Sequence, residues 1–217
     1  MPKIKDYSLY LVISEEYGMG RSVPEIARLA ISGGADIIQM REKDKARDGL
    51  VKLTCELSRL CREKRVIFIV NDDPFIAKES NADGAHLGQE DMLKYSITET
   101  RNILGKSKII GVSTHSLSQL KSANEEDVDY IAYGPIFPTK TKDYFLGVKD
   151  IKEVLKIAKK PVFFIGGIDL SNLDEILEQG GKNIAAIRSI IQAEDIAARA
   201  KSFKDRLMEE ERKREIK

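Results

Sequence analysis

The sequence predicts an α/β chain folded as a single-domain (β/α)8 TIM barrel. Short apolar runs rich in β-branched residues alternate with longer segments of helical period, eight such runs occur, and each is apolar throughout rather than alternating in polarity. Continuous apolar runs are the mark of parallel strands covered on both faces. The alternative is an open doubly wound sheet. Its dinucleotide fingerprint is missing, because Gly18-Met19-Gly20 is followed by Arg21, Ser22 and Val23.

The predicted strands are residues 8–14, 36–40, 66–70, 84–87, 109–112, 130–133, 161–165 and 183–187. Helices are predicted over 23–32, 48–64, 74–80, 98–104, 116–123, 150–159 and 171–179, with a last helix from 193 onward. Ser22, followed by Val-Pro-Glu with Glu25 three residues on, reads as a capping box with an early proline. No Pro/Gly/Ser-rich linker divides the chain. The barrel is expected over 1–200, and the dense mixture of charges over 201–217 reads as a solvated helical extension that frays.

Composition narrows the function classes. The chain has 217 residues, 42% hydrophobic and 33% charged, enough for one domain with a real core. Its 36 Lys and Arg nearly balance 35 Asp and Glu, so no global field favours nucleic acid or an anionic membrane. No apolar stretch approaches the ~20 residues of a membrane span, and the first run reads as a strand rather than a signal core. Cys55 and Cys61 lack metal or redox spacing and read as structural thiols. A cytoplasmic protein is expected, with its phosphate chemistry confined to a local site. Composition sets no oligomeric state.

In such barrels the working residues stand at the C-terminal ends of the strands. There the sequence places Gln39 to Lys43, Asn71-Asp72-Asp73, His86 to Asp91, Ser113-Thr114-His115, Gly134 to Lys142, Gly166-Gly167-Ile168 and Arg188-Ser189. Asp72 and Asp91 follow adjacent strands and suit one Mg²⁺, which takes one or two carboxylates plus phosphate oxygens. Arg41, Lys43 and Lys142 supply cations for a phosphorylated anion. Asp72 and Asp73 also fit a cap on the helix opening at Pro74. Gly166-Gly167 and Arg188-Ser189 follow strands seven and eight, where these barrels commonly hold a phosphate, although Gly-Gly alone also makes a tight turn. His86 and His115 lack zinc spacing. Each stands near a strand end, and for His86 a packing or hydrogen-bonding role is expected.

These residues resemble a known family. Gln39-x-Arg41-Glu42-Lys43, Asn71-Asp72, His86-x-Gly88-Gln89-x-Asp91, Gly111-Val112-Ser113, Gly134-Pro135-x-Phe137-Pro138-Thr139-x-Thr141-Lys142, Gly166-Gly167-Ile168 and Ala186-Ile187-Arg188-Ser189-Ile190, in that order, resemble thiamine phosphate synthase. The resemblance implies that 4-amino-2-methyl-5-(diphosphooxymethyl)pyrimidine is joined to 4-methyl-5-(2-phosphooxyethyl)thiazole, giving thiamine phosphate and diphosphate. It implies that Gln39, Met40, Arg41, Glu42, Lys43, Asn71, Ser113 and Lys142 hold the pyrimidine diphosphate, with Arg41, Lys43 and Lys142 catalytic. Asp72 and Asp91 would hold Mg²⁺, and Thr139, Lys140, Thr141, Gly167, Ile187 and Arg188 the thiazole phosphate. The partners are then two small phosphorylated substrates. The family reaction ionises the pyrimidine diphosphate first, so no catalytic base is assigned.

Two departures stand out: residues 143–147 are shorter than the proline-rich loop expected there, and Arg188 stands where many members carry Ser. A related thiazole tautomerase, with a histidine replacing the proline of the Gly-Pro-x-Phe segment, is the rival enzyme. A non-catalytic phosphate-ligand sensor on the same scaffold is the rival from another class.

Overall fold

A computed structural model describes residues 3–43, 45–140 and 142–215. Eight strands, β1 (Leu9–Ile13), β2 (Ile37–Met40), β3 (Ile67–Asn71), β4 (Gly84–Leu87), β5 (Ile109–Thr114), β6 (Tyr130–Tyr133), β7 (Val162–Ile165) and β8 (Asn183–Ala186), close in sequence order into a parallel barrel. The seam is β1 against β8, with Leu9 opposite Ile184 and Leu11 opposite Ala186. The helices are α1 (Val23–Ser32), α2 (Arg47–Lys64), α3 (Pro74–Glu79), α4 (Asp91–Lys94), α5 (Ile97–Leu104), α6 (Leu117–Glu125), α7 (Ile151–Ile157), α8 (Leu173–Glu178), α9 (Arg188–Ile191) and α10 (Ile196–Glu215). Only α4 and α9 fall outside the predicted helices, because four residues carry no periodic signature. β3 and β5 run further than predicted, since polar Asn71, Ser113 and Thr114 pair with His86, Ala132 and Tyr133 of the neighbouring strands.

Alternation along each strand divides the core in two. Tyr10, Val12, Ile37, Ile67, Ile69, Ile109, Tyr130, Phe163 and Ala185 fill the barrel interior. Leu9, Leu11, Ile13, Ile38, Met40, Phe68, Val70 and Ile110 pack instead against the helices. With apolar partners on both faces, the pleat leaves no polar alternation in the sequence.

The base of the barrel is pinned by a repeated clasp. Asp36, just before β2, accepts from the Leu9 N–H of β1 at 2.7 Å. Asp83 before β4 accepts from Phe68 of β3 at 2.9 Å, and Asp129 before β6 from Ile110 of β5 at 2.8 Å. Each clasping residue also donates its own N–H to the carbonyl of the residue it holds. Asn183 extends the device across the seam, accepting from Ser8 at 3.1 Å.

Two local expectations change. The capping box at Ser22 is half formed: Ser22 accepts from Glu25 N, and the reciprocal box occurs at Ser96 and Glu99, opening α5. The boundary expected at 200/201 falls inside α10, which runs unbroken across it with Ala200, Phe203 and Leu207 buried. Lys204 bonds Asp36 and the Tyr7 carbonyl, Arg206 pairs with Asp174, and Arg214 reaches the Leu177 carbonyl. Residues 201–215 are thus helical as expected, packed against the barrel through Phe203 and Leu207, with 212–215 exposed at the end. Cys61 is buried, which pushes its thiol up to about 12, in keeping with a structural role; no helix among the described residues is long and apolar enough to cross a membrane.

Phe203→Ala is expected to lower the unfolding free energy by about 3–5 kcal/mol in urea titrations, the usual cost of emptying an aromatic core position. A change under about 0.5 kcal/mol, the level of an ordinary surface substitution, would return this segment to the solvated class.

Candidate active site

Two clefts open at the C-terminal ends of the strands. The larger, about 510 Å³, is walled by the loop after β6, the Gly166-Gly167 turn and the start of α9. The smaller, about 360 Å³, lies over the ends of β2 and β3.

The larger cleft depends on close backbone approach. The chain after β6, past a cis Gly134-Pro135 bond, follows the extension of β7, with Ile136 N bonding Ile165 O and Phe137 N bonding Gly166 O, both at 2.9 Å. Gly166 and Gly167 have φ of 99° and 67°. A Cβ on Gly166 would stand 2.4 Å from the Pro135 Cβ, and one on Gly167 2.4 Å from the Pro138 carbonyl oxygen. The glycines thus do more than turn the chain: no side chain fits between the two loops. The short segment after Lys142 folds back, with Leu146 and Gly147 donating to the carbonyls of Pro135 and Ile136, and Tyr144 meeting His115 edge-on at 6.3 Å.

Ser113, Thr139, Lys140, Lys142, Gly167, Ile187 and Arg188 all line this cleft. Ser113 and Lys142, expected on the pyrimidine diphosphate, therefore share a wall with the residues expected on the thiazole phosphate. Thr141 lies outside the described residues. The Arg188 guanidinium lies 4.4 Å over the Tyr17 ring, so a cation–π contact holds it.

Met40, Glu42, Lys43, Asn71 and Asp72 line the smaller cleft. The Met40 side chain belongs to the core outside the sheet, because it follows inward-facing Gln39 by one residue. Glu42 accepts from Glu15 N at 2.6 Å and so ties down the loop after β1. Asp72 and its neighbour separate cleanly. Asp73 caps α3, accepting from Phe75 and Ile76 N–H at 2.8 and 3.0 Å. Asp72 takes a left-handed φ of 68°, a conformation that Asp tolerates better than most residues, and is left out of the cap.

Asp72 faces Asp91 instead. Burial first, then a hydrogen bond and charge repulsion from Asp91, push the Asp72 carboxyl up to about 7, opposed by the charges of Arg41 and Lys43. Asp91 opens α4 and accepts from Gly88 N at 2.9 Å. The site residues thus bring together two hard-oxygen donors flanked by two cations. No group of three or more His, Cys, Asp or Glu side chains that could hold a metal occurs among the described residues.

Beneath the mouth runs a buried polar chain. Gln39 Nε2 donates to the Tyr10 hydroxyl at 2.6 Å, Tyr10 meets the Tyr130 hydroxyl at 2.8 Å, and Tyr130 meets His86 Nδ1 at 2.9 Å. His86 Nε2 then meets Ser113 Oγ at 2.8 Å. Burial lowers His86 to about 4, so its ring is neutral near pH 7. Sequence reasoning singled out Gln39, His86 and Ser113 but took both tyrosines as strand hydrophobics. No sequence signal marks the tyrosines; in the fold Gly111 makes the room, since a Cβ there would stand 2.0 Å from the Tyr130 ring. His115 also lines the larger cleft, its Nδ1 bonded to the Gly134 carbonyl at 2.5 Å.

Comparison with known proteins gives a consistent result. A family model described as thiamine monophosphate synthase matches residues 9–190. The thiamine-phosphate synthase of Persephonella marina is 38% identical over 202 residues, covering 92% of this chain and 95% of the relative. That of Methanocella arvoryzae is 39% identical over 202 residues, covering 91% and 93%. A solved thiamine phosphate pyrophosphorylase from Pyrococcus furiosus superposes with a TM-score of 0.86 at 31% identity, covering 94% and 96%.

The Asp72 carboxyl is held above its ordinary value of 3.8 in the folded chain, so the native chain binds more protons than the unfolded one between about pH 4 and 7. Without divalent cations this contribution makes stability fall as pH rises through that window, by on the order of 1–2 kcal/mol, reduced from the full linkage value by solvent at the cleft. Urea titrations in EDTA should show that Asp72→Asn removes this component. An unaltered slope in the variant would contradict the assignment.

Proposed function

The chain belongs to the thiamine monophosphate synthase family and is a transferase that forms thiamine phosphate; from that premise we propose how its residues divide the work between two phosphorylated substrates. The pyrimidine diphosphate lies over Gln39, Asn71 and Ser113, with Arg41, Lys43 and Lys142 against its diphosphate. The thiazole phosphate lies in the larger cleft against Thr139, Lys140, Thr141, Gly167, Ile187 and Arg188. The observation that carries this reading is the placement of Ser113 and Lys142 in the wall of the larger cleft, where groups expected on one substrate border the site of the other. A condensing enzyme needs that border.

The bond from the pyrimidine methylene carbon to oxygen breaks, and its electron pair leaves with diphosphate. The ring amino group spreads the positive charge left on carbon, and the thiazole nitrogen lone pair forms the new carbon–nitrogen bond. No proton moves, so no side chain acts as a general base. Arg41, Lys43 and Lys142 offset the charge gathering on the leaving group, and the larger cleft orients the nucleophile.

Asp72 and Asp91 fit Mg²⁺, because the Asp72 carboxyl, buried and facing the Asp91 side chain, would gain from a hard cation held by both. When bound, Mg²⁺ supplies further neutralisation of diphosphate oxygens. Met40 and Glu42 border the same subsite from the smaller cleft, with the Met40 side chain anchored in the outer core and the Glu42 carboxylate tying down the loop after β1. The same reading places the protein in the cytoplasm, acting on small molecules without nucleic acid or membrane.

Purified chain given both substrates and Mg²⁺ should form thiamine phosphate and stop in EDTA; formation undiminished by EDTA would remove the metal from the scheme. Lys142→Ala and Asp91→Ala should each lower kcat by roughly 10²–10³, as loss of an electrostatic contact to the reacting centre typically does, while the KM for thiazole phosphate stays within about threefold. Unaltered turnover in either variant would exclude that residue from the chemical step.

A further inference from the structure

We propose that the buried chain from Gln39 through Tyr10, Tyr130 and His86 to Ser113 fixes which end of the pyrimidine subsite accepts a hydrogen bond and which end donates one. Tyr10, Tyr130 and His86 are then positioning residues that touch no substrate. The identity of the ligand rests on the functional reading above.

The polarity follows from counting hydrogens. A phenol carries one hydrogen, and a neutral imidazole carries one N–H. Gln39 donates to the Tyr10 oxygen, and its amide also lies beside the Tyr130 oxygen. The Tyr10 hydrogen therefore passes to Tyr130, and the Tyr130 hydrogen to His86 Nδ1. With Nδ1 accepting, the ring proton sits on Nε2 and is donated to Ser113 Oγ. Every donor in this buried run then has an acceptor, as interior polar groups require. Reversing the direction would require the Gln39 amide to present its oxygen to Tyr10.

At the two ends the chain leaves one group each. Gln39 retains its amide oxygen, an acceptor, and Ser113 retains its hydroxyl hydrogen, a donor. Both are the last inward-facing residues of their strands, and Ser113 lines the larger cleft. An aminopyrimidine presents amino N–H donors next to ring nitrogen acceptors, which complements this pair. A pyrimidinone, with oxygen and ring N–H in their place, presents the opposite pattern. The buried chain is thus a specificity device for a 4-amino ring, set from inside the barrel.

The architecture makes room for it. Gly111, opposite Tyr130, leaves the space the Tyr130 ring occupies. The rings of Tyr10, Tyr130 and Phe163 meet edge to face at 5.2–5.8 Å, which holds both hydroxyls in place.

The first test uses the unaltered protein. ¹⁵N NMR of the two histidine rings, with His86→Gln for assignment, should report a neutral His86 protonated on Nε2. A ring protonated on Nδ1, or an imidazolium at pH 7, would overturn the proposal. The second test is kinetic. Tyr130→Phe keeps the ring and should raise the KM for the pyrimidine diphosphate about tenfold, leaving the KM for thiazole phosphate within about twofold. In a Ser113→Ala background the same substitution should add less than about twofold, because its effect runs through Ser113. Full additivity, or an unchanged KM, would overturn the proposal. Failure of the unaltered chain to make thiamine phosphate would instead overturn the functional reading and the ligand assignment, while the tautomer measurement still decides the direction of the chain.

Discussion

A ring of parallel strands closes only if its first strand satisfies two edges at once. β1 must match β2 on one side and β8 on the other, and a slip of one residue would turn its interior side chains outward. The base clasps work against that slip. Asp36, Asp83 and Asp129 each bind the strand before them through both their carboxylate and their own backbone N–H. Two bonds at one residue define a position along the strand as well as contact with it. Asn183 does part of the same work across the seam. Charge-assisted bonds of this kind are stronger than neutral ones, and they sit where partial burial limits screening.

Given that register, the interior divides by height. The lower positions hold Ile37, Ile67 and Ile109 with the aromatic rings, while Gln39, Asn71, His86 and Ser113 follow two to four residues further along their strands. The apolar layer excludes water from below, so the polar groups above it bond to one another or to what enters from the mouth. The same alternation sends Met40 and Val70 to the helix side, where they hold the loops that carry Arg41, Lys43 and Asp72.

Much of this was legible in the residues, and the rest was hidden for physical reasons. Eight apolar runs, with polar residues gathered where each ends, reveal both the barrel and its working rim. The alternation rule, once Gln39 points inward, already sends the Met40 side chain to the helix side of the sheet. Asp72 and Asp73 are ambiguous as adjacent letters, and only the left-handed turn at Asp72 separates the residue that caps α3 from the one that faces Asp91. Asp36, Asp83 and Asp129 read as ordinary turn acids, because their partners lie 15 to 27 residues away along the chain. Tyr10 and Tyr130 look like core aromatics, and it takes the fold to bring hydroxyls 120 residues apart within 2.8 Å. The packed face of α10 was masked by the density of charge around Phe203 and Leu207.

The seam also dictates an order of events during synthesis. Ser8 meets Asn183 across 175 residues, and Lys204 reaches back 197 residues to the Tyr7 carbonyl. While the chain emerges from the ribosome, the edge of β1 that belongs to β8 has no partner until residues 183–186 have been made. An unpaired, apolar strand edge exposed for that long is an invitation to intermolecular pairing. The closing edge of the barrel is therefore open to other chains for most of synthesis, and pairing with β8 is what removes that risk.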